Sequence, residues 1–141
     1  MNNYYIYQSS IGSITMGANE KSITHLLFGE RTIKGYELGE TELLKKAYTE
    51  LLEYLEGKRR SFDLPLEPQG TDFQKSVWSA LRRIPYGEKV SYKYIAESIG
   101  NERACRAVGN ANNKNPIAIF IPCHRVVGTS GKLVGYAGGL D

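Results

Sequence analysis

Hydrophobic and β-branched residues near the start of the chain fall into three short runs bounded by Gly, Ser or Asn. The runs are "YYIYQSS", "GSITMGA" and "SITHLLF". Runs of this length between turn-forming residues are typical of strands in an antiparallel meander. Apolar residues then recur at helical spacing from Leu43 to Leu55, with Thr41 as a candidate N-cap and Gly57 just past the end. This part of the chain is predicted to be a small β-sheet followed by a helix.

A change of pattern marks a domain boundary. The stretch "KRRSFDLPLEPQG" holds two prolines and a glycine and shows no helical or strand periodicity. We therefore predict an N-terminal β-sheet and helix domain over residues 1–66 and a second, mainly helical domain over residues 67–141. The fold class is α/β in the broad sense, of the α+β kind.

The second domain opens with a helix. Thr71 and Gln74 in "TDFQ" have the spacing of a capping box, in which each side chain satisfies a backbone N–H at the helix start. The apolar residues that follow lie on one helical face: Phe73, Val77, Trp78, Leu81 and Ile84. The turn "PYGE" ends this helix.

Two further helices are predicted close together. Ser91 can cap "YKYIAESI", Gly100 can end it, and Asn101 can cap "ERACRAVGNANN". Two short helices joined by a Gly-Asn corner match the helix-turn-helix pattern of DNA-binding proteins. A helical hairpin with no role in nucleic-acid binding has the same pattern, so both interpretations stay open on pattern alone.

The last of these helices is unusually rich in small residues. Ala104, Ala107 and Gly109 would let its backbone come close to another surface, and Arg106 is the long polar side chain near its start. Readers of the major groove normally carry several long polar side chains. The surface approached is either another helix or the minor groove of DNA, with Arg106 inserted into the base stack as in proteins that extrude a base.

Charge is divided unevenly along the 141 residues. Residues 1–70 hold 8 Lys and Arg against 10 Asp and Glu, a net charge of −2, whereas residues 71–141 hold 10 against 5, a net charge of +5. A basic half favours a polyanionic partner such as nucleic acid, although a solvated basic face has the same composition. The N-terminus lacks the basic and apolar regions of a secretory signal, so we expect a cytoplasmic protein.

A thiol and an imidazole stand side by side in "NPIAIFIPCHRVVG", residues 115–128. The apolar run is predicted to be a strand that Pro122 ends, which puts Cys123 and His124 at the edge of an element. Two cysteines and two histidines in the chain do not give a zinc spacing, and a disulfide with Cys105 is not expected in a reducing cytoplasm. Two interpretations of Cys123 remain, an inert buried thiol and a reactive thiol. A neighbouring His or Arg favours the reactive thiol.

The segment "IPCHRVV", preceded by "RAVGNANNKNP" and followed by "GYAGGL", resembles the methylated-DNA–protein-cysteine methyltransferases, or O6-alkylguanine-DNA alkyltransferases. The match runs from Phe73 to Leu140. The resemblance implies suicidal transfer of an alkyl group from O6-alkylguanine in double-stranded DNA to Cys123, with O4-alkylthymine as a candidate second substrate. It implies that no cofactor is required, and we expect a monomer that binds no metal.

The resemblance also implies roles for individual residues. Cys123 matches the nucleophile, and His124 matches the residue that takes the thiol proton through a water molecule. Tyr92 matches the phenol that rotates the nucleotide and protonates the departing guanine. Arg106 matches the arginine that replaces the flipped base, and Asn115 matches the hinge between the DNA-binding helix and the active-site segment.

The other expected site residues surround these. The predicted DNA-binding set also contains Tyr92, Ala104, Ala107, Gly109 and Arg125. The predicted pocket and hinge set contains Asn115, Val126, Tyr136, Ala137 and Gly138.

The sequence departs from the family pattern at three places. The family continues past "GGL" into a helix with a glutamate that orients the histidine, and this sequence stops at Asp141. No cysteine precedes Cys105, so the N-terminal zinc site of some members is not expected. Ala118 and Ala137 stand where the family often has a proline and a serine. A lesion-binding protein that transfers nothing is therefore the alternative hypothesis.

Overall fold

The structure is a computed structural model that describes residues 1–127. The chain divides into two compact units, Met1–Pro68 and a second unit that begins at Gln69. Each unit has its own buried apolar residues.

The first unit contains the β-sheet that the hydrophobic pattern predicts. Its strands are β1 (Asn3–Ser9), β2 (Gly12–Ala18), β3 (Ile23–Phe28) and β4 (Glu37–Leu38). The strand order is β3-β2-β1-β4, with antiparallel pairs β1–β2 and β2–β3 and a parallel pair β1–β4. The three-stranded meander is confirmed. Strand β4 was not predicted because it has two exposed residues and no apolar alternation.

One helix, α1 (Glu42–Leu55), follows the sheet. Thr41 caps it by accepting a hydrogen bond from the backbone N–H of Leu44, and Gly57 takes a φ of 77° just beyond its end. Left-handed backbone of this kind is easily adopted only by glycine, so the helix stops there. The largest fully buried side chains of the unit come from the sheet and from α1: Ile14, Met16, Ile23, Leu26, Leu44 and Leu51.

The second unit is mainly helical. Its helices are α2 (Asp72–Leu81), α3 (Tyr92–Ser98) and α4 (Cys105–Asn113). The capping box of Thr71 and Gln74 is present, and Ser91 caps α3 by accepting from the N–H of Tyr94. Two strands of two residues each, β5 (Val90–Ser91) and β6 (Val126–Val127), pair in parallel. Trp78 is 1% exposed and forms part of the core between the helices.

Two details of the second unit differ from the prediction. Helix α4 begins at Cys105 with Ala104 as its N-cap, not with Asn101 capping residues 102–113. The N–H of Asn101 instead bonds to the carbonyl of Ala96, and the N–H of Ala104 bonds to the carbonyl of Asn101, so residues 101–104 form a turn. A sequence pattern does not distinguish such a turn from a first helical turn, because both have similar local hydrogen bonds.

The run before Cys123 is not the expected strand. Within residues 117–121 the backbone folds on itself, and the N–H of Ile121 bonds to the carbonyl of Ile117 at 3.0 Å. Ile119 has a φ of 69°, and the N–H of Phe120 bonds to the carbonyl of Ala118 at 2.8 Å, which defines a γ-turn. The short strand of this region, β6, follows Cys123. A run of five apolar residues indicates burial, but burial does not require an extended backbone.

Candidate active site

Cys123 begins a single 3₁₀ turn, Cys123–Arg125, and is 4% exposed. Pro122, which precedes it, has φ −79° and ψ 66°, and the N–H of Cys123 bonds to the carbonyl of Ile121 at 2.8 Å. These values define an inverse γ-turn centred on the proline, whose ring already restricts φ to this range. Pro122 therefore turns the chain immediately before the thiol, as the sequence indicated.

Asn115 holds the two ends of the turn segment together. Its Nδ2 donates to the carbonyl of Ile121 at 2.8 Å, and its Oδ1 accepts from the N–H of Ile117 at 3.0 Å. Asn115 follows α4 closely, so these bonds connect the end of that helix to the residue two positions before Cys123. Asn115 therefore connects α4 to the segment that contains Cys123, and the hinge role that the resemblance implies stays a prediction.

The pairing of β5 with β6 brings Tyr92 to the same place. Val90 pairs with Val126 and Ser91 with Val127, so the first residue of α3 lies beside the segment that contains Cys123. Burial raises the pKa of Tyr92, the nearby Cys123 raises it further, and a side-chain hydrogen bond with Asn112 lowers it. The phenol is therefore bonded to a buried amide and lies close enough to the thiol to interact with it electrostatically.

The surroundings of His124 keep its imidazole neutral. Burial lowers its pKa to about 4, and the charge of Arg125 contributes to this shift. At neutral pH the imidazole is therefore uncharged and can accept a proton. A neutral base beside a thiol is the arrangement that nucleophilic catalysis by cysteine needs.

Arg125 is turned towards the interior of the second unit. Its side chain is buried, with the residue 9% exposed, and its Nη1 donates to the carbonyl of Ile84 at 2.7 Å. Its guanidinium also lies over the ring of Tyr86, 5.8 Å from the centroid. Through these contacts the guanidinium ties the active-site turn to the segment that follows α2, and a role of Arg125 in DNA binding stays a prediction. The sequence alone shows only a charge next to His124.

Helix α4 divides into an exposed and a buried face. Arg106 and Ala107 are exposed, and Ala104 and Gly109 are half-buried. Val108, Ala111 and Asn112 face inward, and the indole Nε1 of Trp78 donates to the carbonyl of Ala111 at 2.8 Å. The predicted DNA-binding residues of α4 thus lie on or next to its accessible side, and the buried side fixes the helix against α2.

Two family models match this chain. The family model described as "6-O-methylguanine DNA methyltransferase, DNA binding domain" matches residues 72–141, and the model described as the ribonuclease-like domain of the same protein matches residues 2–68. A methylated-DNA–protein-cysteine methyltransferase of Methanosarcina barkeri is 55% identical over 98% of this chain and 90% of its own length. The chain belongs to the 6-O-methylguanine DNA methyltransferase family.

Other relatives of the family support this membership. The constitutive methylated-DNA–protein-cysteine methyltransferase of Bacillus subtilis is 43% identical over 98% of this chain and 88% of its own. The crystal structure of the Mycobacterium tuberculosis O6-methylguanine methyltransferase is similar with a TM-score of 0.89, at 44% identity over 99% of this chain and 86% of the other. A structure of the same organism's protein in complex with DNA gives a TM-score of 0.88, at 46% identity over 96% and 84% of the two chains.

The remaining predicted residues of the family site are only partly described. Val126 is 1% exposed, and its N–H bonds to the carbonyl of Cys123. Tyr136, Ala137 and Gly138 lie outside the described residues. Cys105 and Cys123, both described, are not joined by a disulfide. Within residues 1–127 no group of three or more His, Cys, Asp or Glu could hold a metal ion, and no helix is long and apolar enough to cross a membrane.

Asn112 is a residue of the site that the sequence pattern does not indicate. It is 2% exposed, and its side chain bonds to Tyr92. In the sequence it is one of four asparagines between Asn110 and Asn115, so composition did not single it out. The signal that could have found it is its position on α4, three residues after Gly109 and four after the buried Val108.

Proposed function

We propose that this protein repairs alkylated DNA directly, by moving the alkyl group from O6 of guanine to Sγ of its own Cys123. The observation that carries the proposal is the meeting of three groups in the second unit. The Cys123 thiol follows a turn fixed by Asn115, the Tyr92 phenol is near enough to interact with it electrostatically, and the adjacent His124 is neutral. Transfer of an alkyl group to a cysteine needs a nucleophile, a base and a proton donor, and these three residues supply one each.

DNA is the partner in this proposal. Helices α3 and α4 provide the helix-turn-helix, and Arg106 is exposed on the first turn of α4. Small neighbours at Ala107 and Gly109 allow the helix to approach the floor of the minor groove. In our proposal Arg106 occupies the space that the extruded alkylguanine leaves, which lowers the cost of unstacking the base.

The reaction balances without a cofactor. His124 accepts the Sγ proton, through a water molecule, as the sulfur attacks the alkyl carbon. The carbon–O6 bond breaks as the carbon–sulfur bond forms, and the electron pair leaves with the guanine. Tyr92 gives its proton to the departing guanine, and the proton held by His124 restores the phenol. The products are guanine in DNA and S-alkylcysteine.

The thioether that forms at Cys123 is a poor leaving group, so the acceptor site is used once. We therefore propose that each protein molecule acts once. We also propose that it acts as a monomer in the cytoplasm. The alternative of a lesion-binding protein without transfer differs from this proposal in one measurable way, the covalent modification of the thiol.

Peptide mass mapping tests the proposal. The protein is incubated with a duplex oligonucleotide that contains one O6-methylguanine, and the digested protein is measured for the added mass of one CH₂ group. We expect the increment on the peptide that contains Cys123, in an amount that never exceeds one group per protein molecule.

The chain offers a matched control in its other cysteine. Cys105→Ser should still accept the methyl group, and Cys123→Ser should bind the duplex without accepting it. A methyl group on Cys105, or binding of the lesion by the wild-type protein with no transfer at all, would overturn the proposal.

A further inference from the structure

A buried amide in the second unit has no place in the mechanism above. Asn112 is 2% exposed, and its Oδ1 has no hydrogen-bond partner among the residues that the structure describes. Buried polar atoms are almost always paired, and a leucine of similar size would leave no polar atom unmatched there. Packing therefore does not explain the presence of an amide at this position.

The fold brings Asn112 to the phenol of Tyr92. Gly109 lies one helical turn before Asn112, and a Cβ atom added to Gly109 would be 4.0 Å from Cε2 of Tyr92. The tyrosine ring thus lies alongside the turn of α4 that these two residues share. The bond from Trp78 Nε1 to the carbonyl of Ala111 holds the backbone next to Asn112 in place.

The direction of the hydrogen bond follows from the two ends of the amide. Oδ1 of Asn112 has no partner among the described residues, so the atom that bonds to the phenol is Nδ2, which can only donate. A donor to the phenol oxygen favours the phenolate and lowers the pKa of Tyr92, whereas burial and Cys123 raise it.

We propose that Asn112 is a positioning residue for the proton donor of alkyl transfer, holding the Tyr92 oxygen as an acceptor so that its O–H is directed towards the bound base. This inference rests on the proposed function, because it assigns Asn112 to the step in which Tyr92 protonates the departing guanine. When that proton leaves, the Nδ2 donor remains on the phenolate oxygen and stabilises it.

A double-mutant cycle tests the proposal in the full-length protein. The rate of methyl transfer to Cys123 from O6-methylguanine in a duplex is measured for Asn112→Leu, with and without Tyr92→Phe. We expect Asn112→Leu alone to slow transfer roughly tenfold, and to slow it less than about twofold when the Tyr92 hydroxyl is already absent. Equal slowing in both backgrounds would assign Asn112 a structural role and overturn the proposal.

A direct measurement of the phenol provides a second, independent test. The ring carbon bonded to oxygen is followed by NMR in protein labelled at tyrosine, and Tyr92→Phe identifies the signal. The pKa of Tyr92 should rise in both Asn112→Leu and Asn112→Ala, because each removes the donor that stabilises the phenolate. An unchanged or lower pKa in these variants would contradict the proposed bond.

The controls separate this inference from the proposed function. Asn113→Leu, at the exposed neighbouring position, should change neither the transfer rate nor the pKa of Tyr92. Thermal unfolding should show that Asn112→Leu remains folded, since leucine has a similar size and the change removes the buried, unmatched Oδ1. If the wild-type protein transfers no methyl group, the proposed function fails, but the titration of Tyr92 still decides whether Asn112 donates to it.

Discussion

At the scale of single residues, His124 shows how neighbours set the chemistry of a side chain. Burial and the charge of Arg125 both disfavour the imidazolium and lower its pKa to about 4. The same arginine is held in place by its bond to the carbonyl of Ile84. Arg125 therefore acts on the site through its charge and its position inside the protein.

The lowered pKa of His124 predicts a pH-dependent loss of stability. The unfolded chain takes up a proton on this residue below about pH 6.5, whereas the folded chain does so only near pH 4. Stability from this group is complete above pH 6.5 and is lost as the pH falls towards 4. Between pH 7.5 and 5 the loss should be about 2 kcal/mol.

Urea unfolding of the wild type and of His124→Gln at the two pH values measures this loss. The variant should lose about 2 kcal/mol less than the wild type over the same interval. The pKa of His25 is also lowered by burial, but its contribution is common to both proteins and cancels in the difference. Equal losses in the two proteins would show that His124 is not kept neutral by the fold.

At the scale of elements, the segment before Cys123 is shaped by two consecutive tight turns. Ile119 has a left-handed backbone that β-branched residues rarely adopt, and it is kept there with 3% of its surface exposed. Pro122 forms the second turn, and Asn115 binds the backbone at Ile117 and Ile121. The position of the thiol thus depends on one asparagine side chain that bridges the first turn.

Replacing that asparagine should separate DNA binding from transfer. Asn115→Ala loses two hydrogen bonds and should lower the free energy of unfolding by about 2 kcal/mol. Methyl transfer should fall much more than affinity for duplex DNA, because α3 and α4 keep their own packing while the turn that presents Cys123 loses its support. Single-turnover rates and DNA titrations of the same preparation measure the two effects.

Asn113→Ala is the matched control for this prediction. It removes the same type of side chain from an exposed position two residues earlier. Its stability and transfer rate should stay close to those of the wild type. Equal reductions of DNA affinity and of transfer rate in Asn115→Ala would contradict the prediction that Asn115 mainly supports the turn segment before Cys123.

At the scale of the whole molecule, net positive charge is confined to the half of the sequence that contains the helices of the second unit. Residues 71–141 carry a net charge of +5, and residues 1–70 carry −2. Arg103 and Arg106 are exposed just before and within the first turn of α4. A basic surface that contacts phosphates releases counterions when DNA binds, so affinity depends on salt.

The affinity for duplex DNA should therefore fall steadily as the salt concentration rises. Arg103→Gln should make the slope of log affinity against log salt shallower by about one unit, as expected for the loss of one phosphate contact. Arg31→Gln, an exposed arginine of the acidic half, should leave the slope unchanged. If the affinity of the wild type for duplex DNA did not change with salt concentration, this would contradict the proposal that the basic residues of 71–141 contact DNA phosphates.

The sequence by itself determined the parts of this protein that depend on local physics. The meander, the N-caps at Thr41, Thr71 and Ser91, and the stop at Gly57 follow from hydrophobic periodicity and from hydrogen bonds within a few residues. The alkyltransferase family was also evident from "IPCHRVV", because so specific a motif needs no coordinates.

Only the tertiary structure decided which distant groups meet. The pairing of β5 with β6 puts Tyr92 beside Cys123, a bond across 41 residues turns Arg125 inward, and the packing of α4 buries Asn112 against the phenol. The apolar run before Cys123 folded into turns because side-chain bonds from Asn115 satisfied the backbone there. The first three contacts depend on partners far apart in the chain, which no local pattern encodes. The bonds of Asn115 are local, but the pattern of apolar residues does not show them.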